Sequence, residues 1–128
     1  MKIVFIENYV AAREVFSLYL SQKGYTIDVY SEPDEEVLTK IIYDIESQAT
    51  LLLLVDYKLP IMNGLDTIEY LKGTCSKLNL NNTYILTNYP ALVDPHKLKT
   101  VGCKLAQKPV TLAEIDSFIG KATEELPK

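Results

Sequence analysis

Five positions along the chain carry side chains that chemistry could use: the adjacent Glu7 and Asn8, then Asp56, Thr87, and Lys108, which precedes Pro109. Each one ends or follows an apolar run, and short apolar runs of this length read as buried strands. In open parallel α/β sheets, ligands bind in the crevice beyond the carboxyl ends of the strands, so residues that end strands are gathered on one rim. Two carboxylates, an amide, a hydroxyl and an ammonium on a common rim suit a hard cation and a phosphoryl group. Oxygen donors hold the cation, and fixed positive charge neutralises the phosphoryl oxygens. Taken singly, each residue has an ordinary structural reading. An Asp at a strand end is commonly a turn or cap residue, Thr is a common strand residue, Glu7 can simply open a loop, and Lys108 can be a solvated lysine. The ordered set is what singles them out. Lys108 has a further reason, because an X-Pro bond that adopts the cis form at a tight turn would aim its side chain.

The same inventory excludes other chemistry. His96 is the single histidine, so there is no multi-histidine metal site and no Ser-His or Cys-His constellation; it is expected as an exposed helix residue. Cys75 and Cys103 are too few for a disulfide framework and are not at metal-ligand spacing, which fits two reduced thiols in a reducing cytoplasm. No GxGxxG occurs, and Asn8-Tyr9-Val10-Ala11-Ala12-Arg13 lacks the Gly- or hydroxyl-rich phosphate loop that a flavin-binding relative of this fold class would want. The formal net charge is -4 with lysines scattered along the chain, so no nucleic-acid footprint is expected.

The elements that must position these residues alternate βαβα from end to end, the pattern of a mainly parallel sheet covered by helices on both faces. Strand 2–6 is followed by a helix over 10–23, whose Ala11, Val15, Leu18 and Tyr19 recur at helical spacing and are expected inward, with Gly24 ending it. A second strand over 26–30 precedes Ser31-Glu32-Pro33-Asp34. That segment is read as a capping hydroxyl, early acids and a first-turn proline, opening a helix to about 47 with Val37, Ile41, Ile42 and Ile45 as its apolar stripe. Residues 50–55 are the most apolar stretch and predict a central strand, ending at Asp56. A loop with an Asn63-Gly64 turn signal follows, then a helix with Leu65, Ile68 and Leu71 inward. Residues 79–82 read as polar punctuation, 83–87 as a fourth strand, and Asp94-Pro95 as the start of a short helix that Gly102 closes. A weak fifth strand over 103–107 and a capping box, Thr111-Leu112-Ala113-Glu114, complete the pattern; Leu112, Ile115, Phe118, Ile119 and Ala122 of the last helix are expected inward.

At 128 residues, 48% hydrophobic and 23% charged, the chain has the size and composition of one globular domain, read as spanning 1–128. No apolar run reaches the roughly 20 residues of a membrane-spanning helix, and the run that stops at Glu7 is too short for a signal-peptide core. A soluble, cytoplasmic protein with no membrane partner is expected. Pro127 and Lys128 leave open whether the natural chain ends there.

Order and spacing together resemble the receiver domains of bacterial response regulators over nearly the whole chain. The resemblance rests on the acidic end of the first strand, the apolar third strand ending in Asp56, and the run Asp56-x-x-Leu59-Pro60-x-Met62-x-Gly64. It rests as well on the hydroxyl of Thr87 after the fourth strand and on Lys108-Pro109 after the fifth. It implies a flavodoxin-like (βα)5 three-layer sandwich with five parallel strands in the order 2-1-3-4-5. It implies that Asp56 is the phosphoacceptor, taking a phosphoryl group from a sensor histidine kinase or phosphotransfer protein, with Thr87 and Lys108 contacting the phosphoryl oxygens. Mg2+ would be held by Glu7, Asn8, Asp56 and the backbone carbonyl of Lys58. Phosphorylation would then change a face made by the fourth helix, fifth strand and fifth helix, where an output partner or effector domain binds. Such a domain is a switch rather than a conventional enzyme, at most catalysing its own phosphorylation and dephosphorylation, and both monomer and homodimer are open.

The chain departs from that family at two points. Receiver domains usually carry two acids where this sequence has Glu7-Asn8; the lost charge predicts weaker Mg2+ binding. The aromatic residue usual in the fifth strand is replaced by Leu105, counting back from Lys108, in a segment about one residue shorter than the common form. These departures favour an alternative reading, a phosphorylation-independent interaction module with the same fold. Tyr9, Tyr57 and Tyr89 lie near the same rim, but with nine tyrosines in the chain they are left out of the site.

Overall fold

A computed structural model describes residues 1–126; Pro127 and Lys128 lie outside the described residues. Five strands, β1 (Lys2–Ile6), β2 (Thr26–Tyr30), β3 (Thr50–Asp56), β4 (Thr83–Thr87) and β5 (Lys104–Gln107), form one parallel sheet in the order 2-1-3-4-5. Between and after them run α1 (Val10–Gln22), α2 (Glu35–Glu46), α3 (Gly64–Thr74), α4 (Pro95–Val101) and α5 (Leu112–Glu124). The strands are apolar on consecutive residues because both faces of the sheet are covered. Side chains alternate between the faces. Ile3, Phe5, Leu52, Leu54, Tyr84 and Leu86 join Leu20, Ile115 and Ile119 of α1 and α5 in one core layer. Val4, Ile6, Leu53, Val55 and Ile85 join Ile41, Ile45, Ile68, Leu71 and Val101 of α2, α3 and α4 in the other. With each such side chain contributing about 1.5–3 kcal/mol on burial, these two layers fix which ends of the strands meet at the rim.

Several local expectations are met for the reasons given. Gly24 and Gly102 both adopt φ 88 after α1 and α4, the left-handed conformation that closes a helix and favours glycine. Thr111 and Glu114 form the reciprocal capping box of α5. Asp94 caps α4, on which His96 is exposed.

Others are corrected. On α1, Tyr19 of the expected stripe does face inward, together with Phe16 and Leu20, whereas Val15 and Leu18 are 55% and 62% exposed and Ala11 is exposed too. The sequence carries two apolar stripes at helical spacing, and contacts choose between them. Phe16 packs against Phe5 of β1 with ring centroids 5.4 Å apart, and the Tyr19 hydroxyl donates to Asp116 of α5 at 2.6 Å. The cap of α2 is Asp34, whose carboxylate accepts from the Val37 N–H at 2.9 Å, and the buried Pro33 precedes the helix instead of occupying its first turn. Asn63-Gly64 is not a free turn but the cap and first residue of α3, with Asn63 accepting from the Asp66 N–H. Leu112, at the first position of α5, is exposed. Asp56 belongs to β3, and β5 begins at Lys104. The polar stretch 79–82 contains a 3-10 turn, Leu80–Asn82, and a second one, Pro90–Leu92, precedes α4.

Candidate functional site

Parallel pairing places the ends of β1, β3, β4 and β5 side by side, and backbone hydrogen bonds carry the alignment one residue beyond three of them. The Glu7 N–H donates to the Tyr30 carbonyl, Tyr57 to Leu86, and Lys108 to Thr87, at 2.8–2.9 Å. The consequence is that Glu7, Asp56, Thr87 and Lys108, separated by up to 101 positions, share one rim. Lys108 joins them electrostatically. Its Nζ lies 2.9 Å from Asp56 Oδ1, and it is 3.0 Å from Oε1 and 2.8 Å from Oε2 of Glu7. The bond between Lys108 and Pro109 is cis.

Glu7 is held from several sides. Oε1 also accepts the Tyr9 N–H at 3.2 Å, and Arg13 donates to the Glu7 backbone oxygen at 2.6 Å. Oε2 faces Lys108 but accepts no hydrogen bond of good geometry. With the residue 1% exposed, burial raises the Glu7 pKa above the ordinary carboxylate value; the Lys108 hydrogen bond opposes that and the Asp56 charge adds to it. For Lys108, burial works against the ammonium, but the hydrogen bonds to Glu7 and Asp56 outweigh it and raise the pKa.

Asp56 is 7% exposed and Thr87 6%, both at the floor of a groove of about 940 Å3. The Thr87 hydroxyl accepts the Tyr89 N–H at 3.1 Å, leaving its proton free to donate. Glycine is required at position 64 by close approach. A Cβ there would collide with the Asp56 carbonyl oxygen, and the Gly64 N–H donates to the Tyr57 oxygen at 2.8 Å. The loop between holds Ile61 at φ 71, a strained conformation for a β-branched residue, with its side chain exposed.

All six residues singled out from the sequence, Glu7, Asn8, Asp56, Lys58, Thr87 and Lys108, line this groove. Tyr9 and Tyr89, left aside in the sequence, line it as well, while Tyr57 packs into the α2–α3–α4 core layer. The available signal was position: each groove tyrosine lies two residues beyond a rim residue. Leu105 pairs with Ile85 and is half-buried in that same layer.

The donor set suits a hard divalent cation of the Mg2+ type. Glu7 and Asp56 supply carboxylate oxygens, both of them in contact with the Lys108 ammonium, and Asn8 and Lys58 line the same groove. Among the described residues no group of three or more His, Cys, Asp or Glu side chains is placed to hold a metal ion.

No family model and no curated protein matches the sequence. Solved structures do match. The receiver domain of the TMAO respiratory system response regulator superposes with a TM-score of 0.76 at 22% identity, covering 98% of each chain. This is the receiver fold of response regulators. A chemotaxis protein from Vibrio cholerae matches with a TM-score of 0.75 at 15% identity over 94% of this chain and 97% of that one. The receiver domain of a sensor histidine kinase from Pseudomonas aeruginosa, with a magnesium ion coordinated in its active site cleft, matches at 0.76 and 17% identity over 97% and 98%. The receiver fold explains why the rim lies at the carboxyl ends of the strands: the order of strand connection reverses beside β1, opening a crevice there. Among the described residues no helix is long and apolar enough to cross a membrane.

Proposed function

We propose that residues 1–128 form a single receiver module of two-component signalling, in which Asp56 accepts a phosphoryl group from the phosphohistidine of a sensor kinase or phosphotransfer protein. An Asp56 carboxylate oxygen attacks phosphorus, the P–N bond to the imidazole breaks, and an acyl phosphate forms. The observation that carries this reading is the convergence of Glu7, Asp56 and Lys108 at the floor of one groove in a receiver fold, with Lys108 Nζ 2.9 Å from Asp56 Oδ1. Glu7, Asp56, the Lys58 carbonyl and Asn8 would hold Mg2+, which supplies charge neutralisation for the phosphoryl oxygens when bound. Lys108 is placed to shift from Asp56 Oδ1 to a phosphoryl oxygen, keeping its charge on the reacting centre. Thr87 is free to donate its hydroxyl proton to the same group while still accepting from Tyr89, which would couple the phosphoryl to the loop before α4. The product is a switch in a cytoplasmic pathway rather than a turnover enzyme, with the α4–β5–α5 face as the output surface.

The test is incubation with acetyl phosphate, with and without Mg2+, and intact mass of the wild type and Asp56→Asn. A gain of about 80 Da, one phosphoryl group, that requires both Mg2+ and Asp56 supports the acceptor role.

A second reading has its own observations. Asn8 leaves the cation site one carboxylate short, and the half-buried Leu105 supplies no aromatic ring to follow Thr87. These favour a partner-binding module that works unphosphorylated, which absence of any adduct under conditions that label another receiver domain would support.

A further inference from the structure

α4 is seven residues long, too short to hold its helix without help from its surroundings, and its apolar anchorage is thin. Val93 before it and Val101 at its end are buried in the α2–α3–α4 core layer and Leu98 is half-buried, while Pro95, His96, Lys99 and Thr100 are exposed. Two lysines add cross-links, both between α4 and α3. Lys72 of α3 donates from Nζ to the Thr100 carbonyl at 3.0 Å and to the Val101 carbonyl at 2.9 Å. That sets a cation on the C-terminal end of α4, where unpaired carbonyls and the helix dipole favour one. Lys97 of α4 reaches the other way, pairing with Asp66 in the first turn of α3, and its Nζ lies 3.9 Å from Glu69 Oε1 three residues on. The same first turn of α3 touches the floor of the groove, since Gly64 is packed on the Asp56 carbonyl oxygen.

We propose that Lys72 and Lys97 form an ionic latch that pins α4 against α3, and that α4 opens as a local unit between its two buried valines when the latch is released. Opening breaks the lysine contacts and uncovers little apolar surface, so the sheet stays intact. Lys97, Asp66 and Glu69 are all partly exposed, and dissolved salt therefore weakens their side of the latch. The latch is a property of α3 and α4 whatever the groove binds. Its bearing on an output partner, through a helix of the α4–β5–α5 face, rests on the receiver reading.

Amide hydrogen exchange read residue by residue by NMR tests this, with no phosphodonor present. The reporters are the Leu98 and Gly102 N–H groups, which donate to the Asp94 and Leu98 carbonyls, and the amides of β3 serve as the reference for global unfolding. In the wild type, the α4 reporters should exchange faster than β3 and respond little to low urea, the mark of an opening that exposes little surface. Lys72→Met and Lys97→Met should each speed α4 exchange about threefold and the double variant about tenfold. Lys97→Arg, which keeps the charge, should restore slow exchange. Raising NaCl from about 20 mM to about 0.5 M should speed α4 exchange in the wild type and have little effect in the double variant. Reporters that share the urea dependence of β3 would overturn the proposal, because α4 would then open only with the whole domain. So would α4 rates that neither variants nor salt change. The urea and salt arms use the wild type alone and stand even if a variant does not fold. Failure of Asp56 to become labelled counts against the acceptor reading and leaves the latch untouched.

Discussion

The backbone oxygen of Asp56 occupies the space into which any side chain at Gly64 would project. The residue at the floor of the groove is thereby locked to the first turn of α3, whose first residue is Gly64 and whose cap is Asn63. Gly64→Ala must move that backbone, so it is expected to destabilise by about 1–3 kcal/mol in urea denaturation. Gly120→Ala is the contrast, since Gly120 lies exposed within α5 with nothing within 4 Å of an added Cβ. There, the substitution should stabilise by about 0.5–1 kcal/mol. Similar effects at both positions would sink the close-approach account.

The raised pKa of Glu7 has a definite sign in a pH series. A carboxyl whose folded pKa lies above its unfolded value contributes most below the unfolded value, 4.5, and that contribution is lost as pH rises through the folded value. Glu7→Gln removes the titration. The stability of Glu7→Gln relative to wild type should therefore increase with pH over a window that opens near 4.5. Urea denaturation between pH 4 and 7 measures it, and a slope of the opposite sign would show that the Lys108 ion pair, not burial, dominates Glu7.

Lys108 predicts the other end of the scale. Its raised folded pKa means its contribution is complete below 10.5 and is lost as pH climbs through the folded value. The stability gap between wild type and Lys108→Met should hold steady from pH 8 to 10 and narrow above 10.5. A gap unchanged at still higher pH would mean that the pairing with Glu7 and Asp56 contributes nothing.

The phase of α1 is decided by packing and can be checked directly. Leu18→Lys, on the exposed face, should change stability by less than about 0.5 kcal/mol, whereas Phe16→Ala should cost about 2–4 kcal/mol through lost contact with Phe5.

The cap of α2 offers a similar comparison. Asp34→Ala should cost about 1 kcal/mol, because the Val37 N–H loses its acceptor. Ser31→Ala, outside the helix, should be close to neutral in the same thermal unfolding series.

How far the chain could be read from its residues differs by element. The alternation of Ile3 and Phe5 with Val4 and Ile6, and the continuous run from Leu51 to Val55, determined that the sheet is parallel and covered on both faces; an apolar residue on every position of a strand has no other favourable use. Local hydrogen bonding determined Gly24, Gly102 and the Thr111–Glu114 box, since each depends only on neighbours within one turn. The receiver-like order of Glu7, Asp56, Thr87 and Lys108 was legible for the same reason: each ends a strand, and parallel strands bring their ends together.

Only the tertiary structure decided the rest. Ala11, Val15 and Leu18 form as good a helical stripe as Phe16, Tyr19 and Leu20, and the choice was made by Phe5 and Asp116, residues on other elements. Spacing alone likewise could not show that Lys108 reaches both carboxylates, that Glu7 is buried, or that Tyr9 and Tyr89 line the groove. Those are distances between groups far apart in the chain, set by how the strands register and how the helices dock. A sequence specifies which residues can meet at a rim, and packing energy summed over the whole core determines how closely they do.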